Sequence, residues 1–139
     1  MPAIFEHLIT VTADQIDRLG HVNNLVYLAW MQAAALAHSS AQGWPVERYE
    51  QQQLAWVVRS HQIKYLRPAL LEDRVLVRTW VEGMKRASSV RRYKIVRAVD
   101  GELLASASTE WAFVDLASST LKRIPPEVWQ AFELVPEEE

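Results

Sequence analysis

Asp17-Arg18-Leu19-Gly20-His21-Val22-Asn23-Asn24 runs straight into Leu25 to Gln42, eighteen residues without a single Asp, Glu, Lys or Arg. Asp, Gly and Asn ahead of an apolar periodic run are the usual vocabulary of a turn and a helix cap. The same residues also set a lone carboxylate beside backbone N–H groups at a helix N-terminus, where a developing oxyanion can be held. Residue types alone leave both readings open, and the second suits acyl transfer. The uncharged run predicts a helix over 25–42, about 27 Å long at ~1.5 Å per residue. Gly43, with Pro45 two residues on, supplies its stop. Being apolar nearly all round, this helix is expected to be covered on most faces.

Outward from the helix the pattern becomes β-like. Strands are predicted over Phe5 to Val11, Ala55 to Arg67 (ending at Pro68), Arg74 to Glu82, Ser88 to Val99 and Glu102 to Asp115. The third alternates cleanly, with Val75, Val77, Thr79 and Val81 on one side and Leu76, Arg78 and Trp80 on the other. Asp100-Gly101 is the strongest hairpin signal in the chain. A short helix is expected around Glu127 to Phe132, and Glu137-Glu138-Glu139 reads as a solvated end. One long helix followed by long antiparallel strands makes an α+β domain whose sheet curls around the helix.

With 139 residues, half of them hydrophobic, the chain is read as one domain, 1–139, with a substantial core. Fifteen basic residues against seventeen acidic ones argue against a nucleic-acid binder, which needs a basic surplus. An absence of cysteine rules out disulfides, thiolate nucleophiles and Cys-ligated zinc. Met1 to His7 shows no basic region followed by an apolar block, so a cytoplasmic protein is expected. The apolar run stops at His38-Ser39-Ser40, short of the ~20 residues a bilayer requires, so no membrane span is expected.

The string D-x-x-G-H-V-N-N-x-x-Y, here Asp17, Gly20, His21, Val22, Asn23, Asn24 and Tyr27, resembles the signature of hotdog-fold acyl-CoA thioesterases, in particular the 4-hydroxybenzoyl-CoA thioesterase-like branch. Its H-V-N-N portion is also similar to the plant acyl-ACP thioesterases. Ile63-Lys64-Tyr65-Leu66-Arg67-Pro68-Ala69, followed by Asp73 and a V-x-V-x-T strand, resembles the family's second block, and Pro125 fits near the end. The resemblance implies a hotdog fold: one long central helix wrapped by a curved antiparallel sheet of about five strands.

Thioester hydrolysis needs a nucleophile or an activated water, and donors for the charge that gathers on the carbonyl oxygen. No G-x-S-x-G elbow is present and Cys-His chemistry is impossible, so a carboxylate is required. Residues 25–42 contain no acid, which disfavours hotdog variants with an acidic catalyst on the helix. By resemblance Asp17 matches the catalytic aspartate, either attacking the thioester carbonyl or acting as a base for water. The positive end of the helix is expected to favour its ionised form. Asn24 matches the oxyanion donor through its backbone N–H, its side chain being a candidate helix cap.

Gly20 reads as the sharp turn that lets backbone approach substrate. His21 is either a hydrogen-bonded turn fixture or, as in the acyl-ACP enzymes, a participant in catalysis. Asn23 either orients water and carboxylate or satisfies neighbouring backbone groups. Two departures stand out. The branch often shows D-x-D-x-x-G, whereas the acids here are Asp14 and Asp17, and Gln32 occupies a helix position that is frequently acidic in the family.

Coenzyme A carries phosphates, and Lys85, Arg86, Arg91, Arg92, Lys94 and Arg97 form a window with no acid among them. It reads either as a phosphate-binding edge or as the wet face of an outer strand. Lys85, Arg86 and Ser88 lie where the resemblance places the residues that hold the nucleotide phosphates. Tyr27, Trp30 and Met31 are candidates for lining the acyl pocket, with core packing as the alternative for each. The expectation is an acyl-CoA thioesterase without metal or cofactor, assembled at least as a homodimer, with a homotetramer open. Acyl-ACP hydrolysis and non-catalytic acyl-thioester binding are the rivals.

Overall fold

A computed structural model describes residues 3–136, so the expected acidic end at 137–139 lies outside the described residues. In chain order the elements are β1 (Phe5–Thr10), a single 3-10 turn (Ala13–Gln15), α1 (Asn24–Ala41), α2 (Val46–Gln51), β2 (Leu54–Tyr65), β3 (Arg74–Met84), β4 (Ser88–Arg97), β5 (Leu103–Asp115), β6 (Thr120–Leu121) and α3 (Pro126–Ala131). The strands form one antiparallel sheet of order β1-β3-β4-β5-β2, with β6 paired to β5. Register shifts at Val58/Ser60, Val81/Gly83 and Ile95/Val96 mark bulges, which bend strands and deepen twist. The bent sheet curls about α1, as the hotdog resemblance implies.

Each main element lies within a few residues of its expected place. The turn signal at Asp100-Gly101 joins β4 to β5, with Gly101 at φ +73°. Gly43, at φ +91°, ends α1 while the Trp44 N–H bonds back to Ser39 O at 2.8 Å. The alternation in β3 holds: Val75, Val77, Thr79 and Val81 are buried, and Leu76, Arg78 and Trp80 are not. α2 and the two-residue β6 carry no periodicity a sequence reading could use. Packing sets α2, with Tyr49 joining a core cluster with Trp44, Phe113, Val128 and Phe132, while backbone pairing to β5 sets the exposed β6.

One expectation is corrected. α1 is not sheathed on most faces: Tyr27, Trp30, Met31, Ala34, Ala35 and His38 are buried, while Leu25, Ala29, Gln32 and Leu36 are exposed in a stripe along the helix. A single curved sheet covers one side of a cylinder, so an apolar circumference within one chain keeps an open face. The sheet has a matching open edge. β2 ends the strand order, is exposed from Val57 to Gln62, and leaves one side of its backbone unpaired. No helix of the described residues is long and apolar enough to cross a membrane.

Candidate active site

The loop ahead of α1 is a tight hairpin. Asp17 N–H donates to His21 O at 2.8 Å, and Gly20 N–H to Asp17 O at 3.1 Å. Ile16 and Val22 form a bridge beyond it. Gly20 sits at φ +79° with open space where a side chain would stand, so the backbone angle, and not crowding, calls for glycine. Two bonds then fasten the loop to its surroundings: Val22 N–H to Ala69 O at 3.0 Å and Asn23 N–H to Gln15 O at 2.8 Å.

Half-buried Asp17 turns Oδ1 back on its own loop, accepting from Leu19 N–H at 2.9 Å and His21 N–H at 3.3 Å. Its other oxygen, Oδ2, meets no donor among the described residues. The amides that hold this carboxylate therefore belong to its own loop. Asn23 is the N-cap: its side-chain oxygen accepts from Leu25 N–H at 2.9 Å, and its carbonyl from Val26 N–H at 2.9 Å. Capping thus falls to Asn23 rather than to the Asn24 side chain. Asn24 is the first helical residue, and its N–H meets no acceptor among the described residues.

A cleft of about 300 Å³ opens here, lined by Asp17, His21, Asn24, Tyr27, Tyr65 and Arg67. The His21 side chain is at its exposed mouth, while its backbone closes the hairpin. Tyr65 Oη–H donates to Asn24 O at 3.2 Å, placing a second hydroxyl beside the helix start. Burial raises the pKa of both Tyr27 and Tyr65, so both stay protonated donors near neutral pH. Asp14 is tied to Thr12, whose hydroxyl donates to its Oδ1 at 2.5 Å.

The remaining candidate residues separate. Tyr27 is 2% exposed and its hydroxyl accepts the Ala69 N–H at 3.0 Å, so it builds the loop's footing as well as touching the cleft. Trp30 and Met31 pack in the core, at 3% and 0% exposure, which is the packing alternative for both. A separate cavity lies further along α1, beside Gln32, Leu36 and Trp44.

Lys85, Arg86 and Ser88 form the turn from β3 to β4, closed by Lys85 N–H to Ser88 O at 2.8 Å. β3 starts beside the loop, where Val11 N–H bonds Asp73 O. It then runs eleven residues away, on the order of 30 Å. Within one protomer the structure does not bring this turn to Asp17. Arg123, Trp129 and Gln130 stand with Arg86 around a surface hollow, a grouping the sequence reading missed. Its only linear trace is Lys122-Arg123 ahead of Pro125.

Nor do the six cations form one edge. Strand alternation sends Arg91 inward to His38 and Arg92 outward to Glu82, while Arg97 bonds Asp73 Oδ2 at 3.1 Å and Asp100 Oδ2 at 3.1 Å. Arg97 also donates to Pro68 O at 3.2 Å, and Asp73 Oδ2 accepts from Leu70 N–H at 2.9 Å. This network shapes the segment on which Val22 and Tyr27 rest. Among the described residues no three His, Asp or Glu side chains converge as a metal site would need.

A long helix on a curled sheet, with a carboxylate-bearing hairpin at the helix N-terminus, defines a hotdog domain. A family model described as the thioesterase-like superfamily matches residues 11–132, and the chain belongs to that superfamily. It is similar to the long-chain acyl-CoA thioesterase FadM of Escherichia coli, 25% identical over 128 residues covering 90% of this chain and 94% of that one. The chloroplastic acyl-(acyl-carrier-protein) hydrolase FATB3 of Cuphea viscosissima is 35% identical over 83 residues, 60% of this chain; the match spans only 20% of that longer protein. The crystal structure of the DHNA-CoA thioesterase of Staphylococcus aureus superposes with a TM-score of 0.86 at 25% identity, covering 92% of this chain and 87% of that one.

Proposed function

We propose that this protein is an acyl-CoA thioesterase, a single hotdog domain acting in the cytoplasm: water and acyl-CoA give the free acid and coenzyme A. One observation carries the reading. Asp17, whose Oδ2 meets no donor among the described residues, and Asn24, whose N–H meets no acceptor among them, line the same cleft. Asp17 either attacks the thioester carbonyl and expels the thiolate, leaving an anhydride that water hydrolyses to the acid, or takes a proton from a water whose oxygen attacks that carbonyl and expels the thiolate. Asn24 N–H, at the positive end of α1, holds the oxyanion that forms on the carbonyl. Asn23 fixes the helix start, Gly20 the turn, and His21 borders the mouth. Coenzyme A is the carrier that FadM and the Staphylococcus aureus enzyme are named for.

The functional unit in this reading is a homodimer, with a tetramer as a further assembly. The open edge of β2 and the exposed stripe of α1 give it a contact surface. A two-fold axis sets helices antiparallel and carries the Lys85–Ser88 turn of one protomer toward the loop end of its partner. That is the arrangement in which Lys85, Arg86 and Ser88 serve as the phosphate site.

Hydrolysis of a panel of acyl-CoAs, followed with a thiol reagent, tests the proposal. Asp17→Asn keeps an oxygen for the Leu19 and His21 amides and should lower kcat by a factor of ~10²–10⁴, while Asp14→Asn should retain activity. Binding of every acyl-CoA without thiol release removes the enzymatic reading. It would favour a non-catalytic binder, as Gln32 at the often acidic position suggests. Single-turnover hydrolysis in heavy-oxygen water separates the roles of Asp17, since label enters its carboxylate only through an anhydride. The 35% match to the plant hydrolase favours acyl-ACP as a second reading. There Lys85→Ala with Arg86→Ala should leave KM for acyl-CoA unchanged, whereas the first reading requires it to rise.

A further inference from the structure

Behind the C-terminal half of α1 lies a cavity of about 440 Å³, within the range that holds a small ligand, whose mostly apolar wall includes the rings of Trp44, Trp56, Trp111 and Phe132. Its one buried charge is Arg91, only 6% exposed. Nη1 of Arg91 donates to Nδ1 of His38 at 2.9 Å and to Oγ1 of Thr79 at 3.1 Å, and the guanidinium carbon stands 5.9 Å from the Phe132 ring centre. Nε and Nη2 make no hydrogen bond among the described residues.

Arg67, Arg78, Arg92 and Arg97 each have a carboxylate partner; Arg91, the most buried of these five, has none among the described residues. Glu50 lines the cavity but is solvent-exposed and forms no ion pair with it. His38 does not balance the charge, because burial and then Arg91 itself hold its pKa down to about 4, leaving it neutral and accepting. The C-terminal turn of α1 offsets a fraction of the charge. A desolvated guanidinium whose remaining two donors form a planar fork, in a site otherwise mainly apolar, is complementary to one group above others.

We propose that this cavity binds a carboxylate carried on an apolar chain or ring, with the Nε–Nη2 fork of Arg91 as the recognition element and the aromatic walls taking the apolar body. Two sources share this chemistry: the far end of an acyl group that bears a second carboxylate, and a free carboxylic acid of the kind hydrolysis releases. The cavity borders α1 from Gln32 to Ser39, about 12–22 Å along the helix from the Asn24 amide, so it is separate from the loop cleft. Binding stands without the thioesterase reading; only the choice of source rests on it.

Calorimetry of the wild-type protein with decanoate and 4-phenylbutyrate, each against its primary amide, is the primary test. The acids should bind at least tenfold more tightly than the amides, and Arg91→Met should erase the difference. Equal affinity of acid and amide in the wild type overturns the proposal whether or not the variant folds. So does undiminished discrimination in a folded Arg91→Met protein. For the source, ω-carboxyacyl-CoAs are compared with methyl-ended acyl-CoAs of equal length. A kcat/KM preference of tenfold or more for the carboxylated series, lost in Arg91→Met, assigns the distal carboxylate. Inhibition by free acid that is lost in Arg91→Met, with no such preference, assigns the released acid. Failure of every thioester to react sinks the proposed activity yet leaves the acid-against-amide comparison intact.

Discussion

The backbone N–H of Ala69 donates to the hydroxyl of Tyr27 at 3.0 Å, while the carbonyl of Ala69 takes the N–H of Val22 at 3.0 Å. One residue between β2 and β3 thus ties the first turn of α1 to the hairpin that carries Asp17. Both ends are dry, with Ala69 at 0% exposure and Val22 and Tyr27 at 2%.

Tyr27→Phe keeps the ring and strands the Ala69 N–H. An unsatisfied buried donor costs about 1–3 kcal/mol, so thermal denaturation should show a Tm several degrees lower, with a parallel decline in kcat as the loop loosens. An unaltered Tm would mean that the Ala69 anchor carries little of the loop's footing.

Asn23 separates capping from catalysis. Asn23→Ala removes the acceptor for Leu25 N–H and should cost about 1 kcal/mol. Asn23→Asp keeps an acceptor and adds a negative charge at the helix start, so it should restore stability. If Asn23 acts only as cap, activity recovers with stability in the Asp variant. A hundredfold loss of kcat in an Asp variant of normal Tm would give Asn23 a direct part in the reaction.

His38 gives stability a pH dependence whose sign follows from the neutral form being the one folded. The unfolded chain takes up a proton near pH 6.5 that the folded protein refuses until about pH 4. This contribution is complete above 6.5 and is lost as pH falls toward 4, by up to about 1.4 kcal/mol per pH unit. His38→Gln keeps an acceptor for Arg91 without the titration. Urea unfolding of both proteins at several pH values should show the wild type losing stability faster than the variant across that window. Parallel curves would contradict it.

The proposed dimer is vulnerable on the exposed stripe of α1. Ala29→Glu with Leu36→Glu puts two charges on surface a second protomer would cover, and should move the sedimenting species from twice 16.0 kDa to a single chain. Thiol release should fall with it, since one protomer holds the Lys85 turn and the Asp17 loop at opposite ends of β3. A fully active monomer would remove the shared-site reading.

The helix, the strands and the Asp17–Asn24 loop were legible along the chain because each is written in local terms. An uncharged run, a period of two in β3, Asp-Gly between strands, and a glycine where φ must be positive need no distant partner. The family string added the meaning of Asp17 and Asn24. The cation run from Lys85 to Arg97 misled, since the pleat sends neighbours to opposite faces and only the fold shows which carboxylates wait there. Arg92 found Glu82, Arg97 found Asp73, and Arg91 found His38.

By itself, then, the chain order determined the elements, the turn chemistry and a carboxylate next to a helix start, because those depend on residues a few positions apart. The tertiary structure alone decided which oxygen of Asp17 stays free among the described residues, which asparagine caps, which face of α1 lies open, and that Arg91 is buried with no carboxylate partner among them. The last two depend on groups far apart in sequence, brought together by the sheet's register and curl; the first two rest on bonds within four residues, whose geometry only the folded loop fixes.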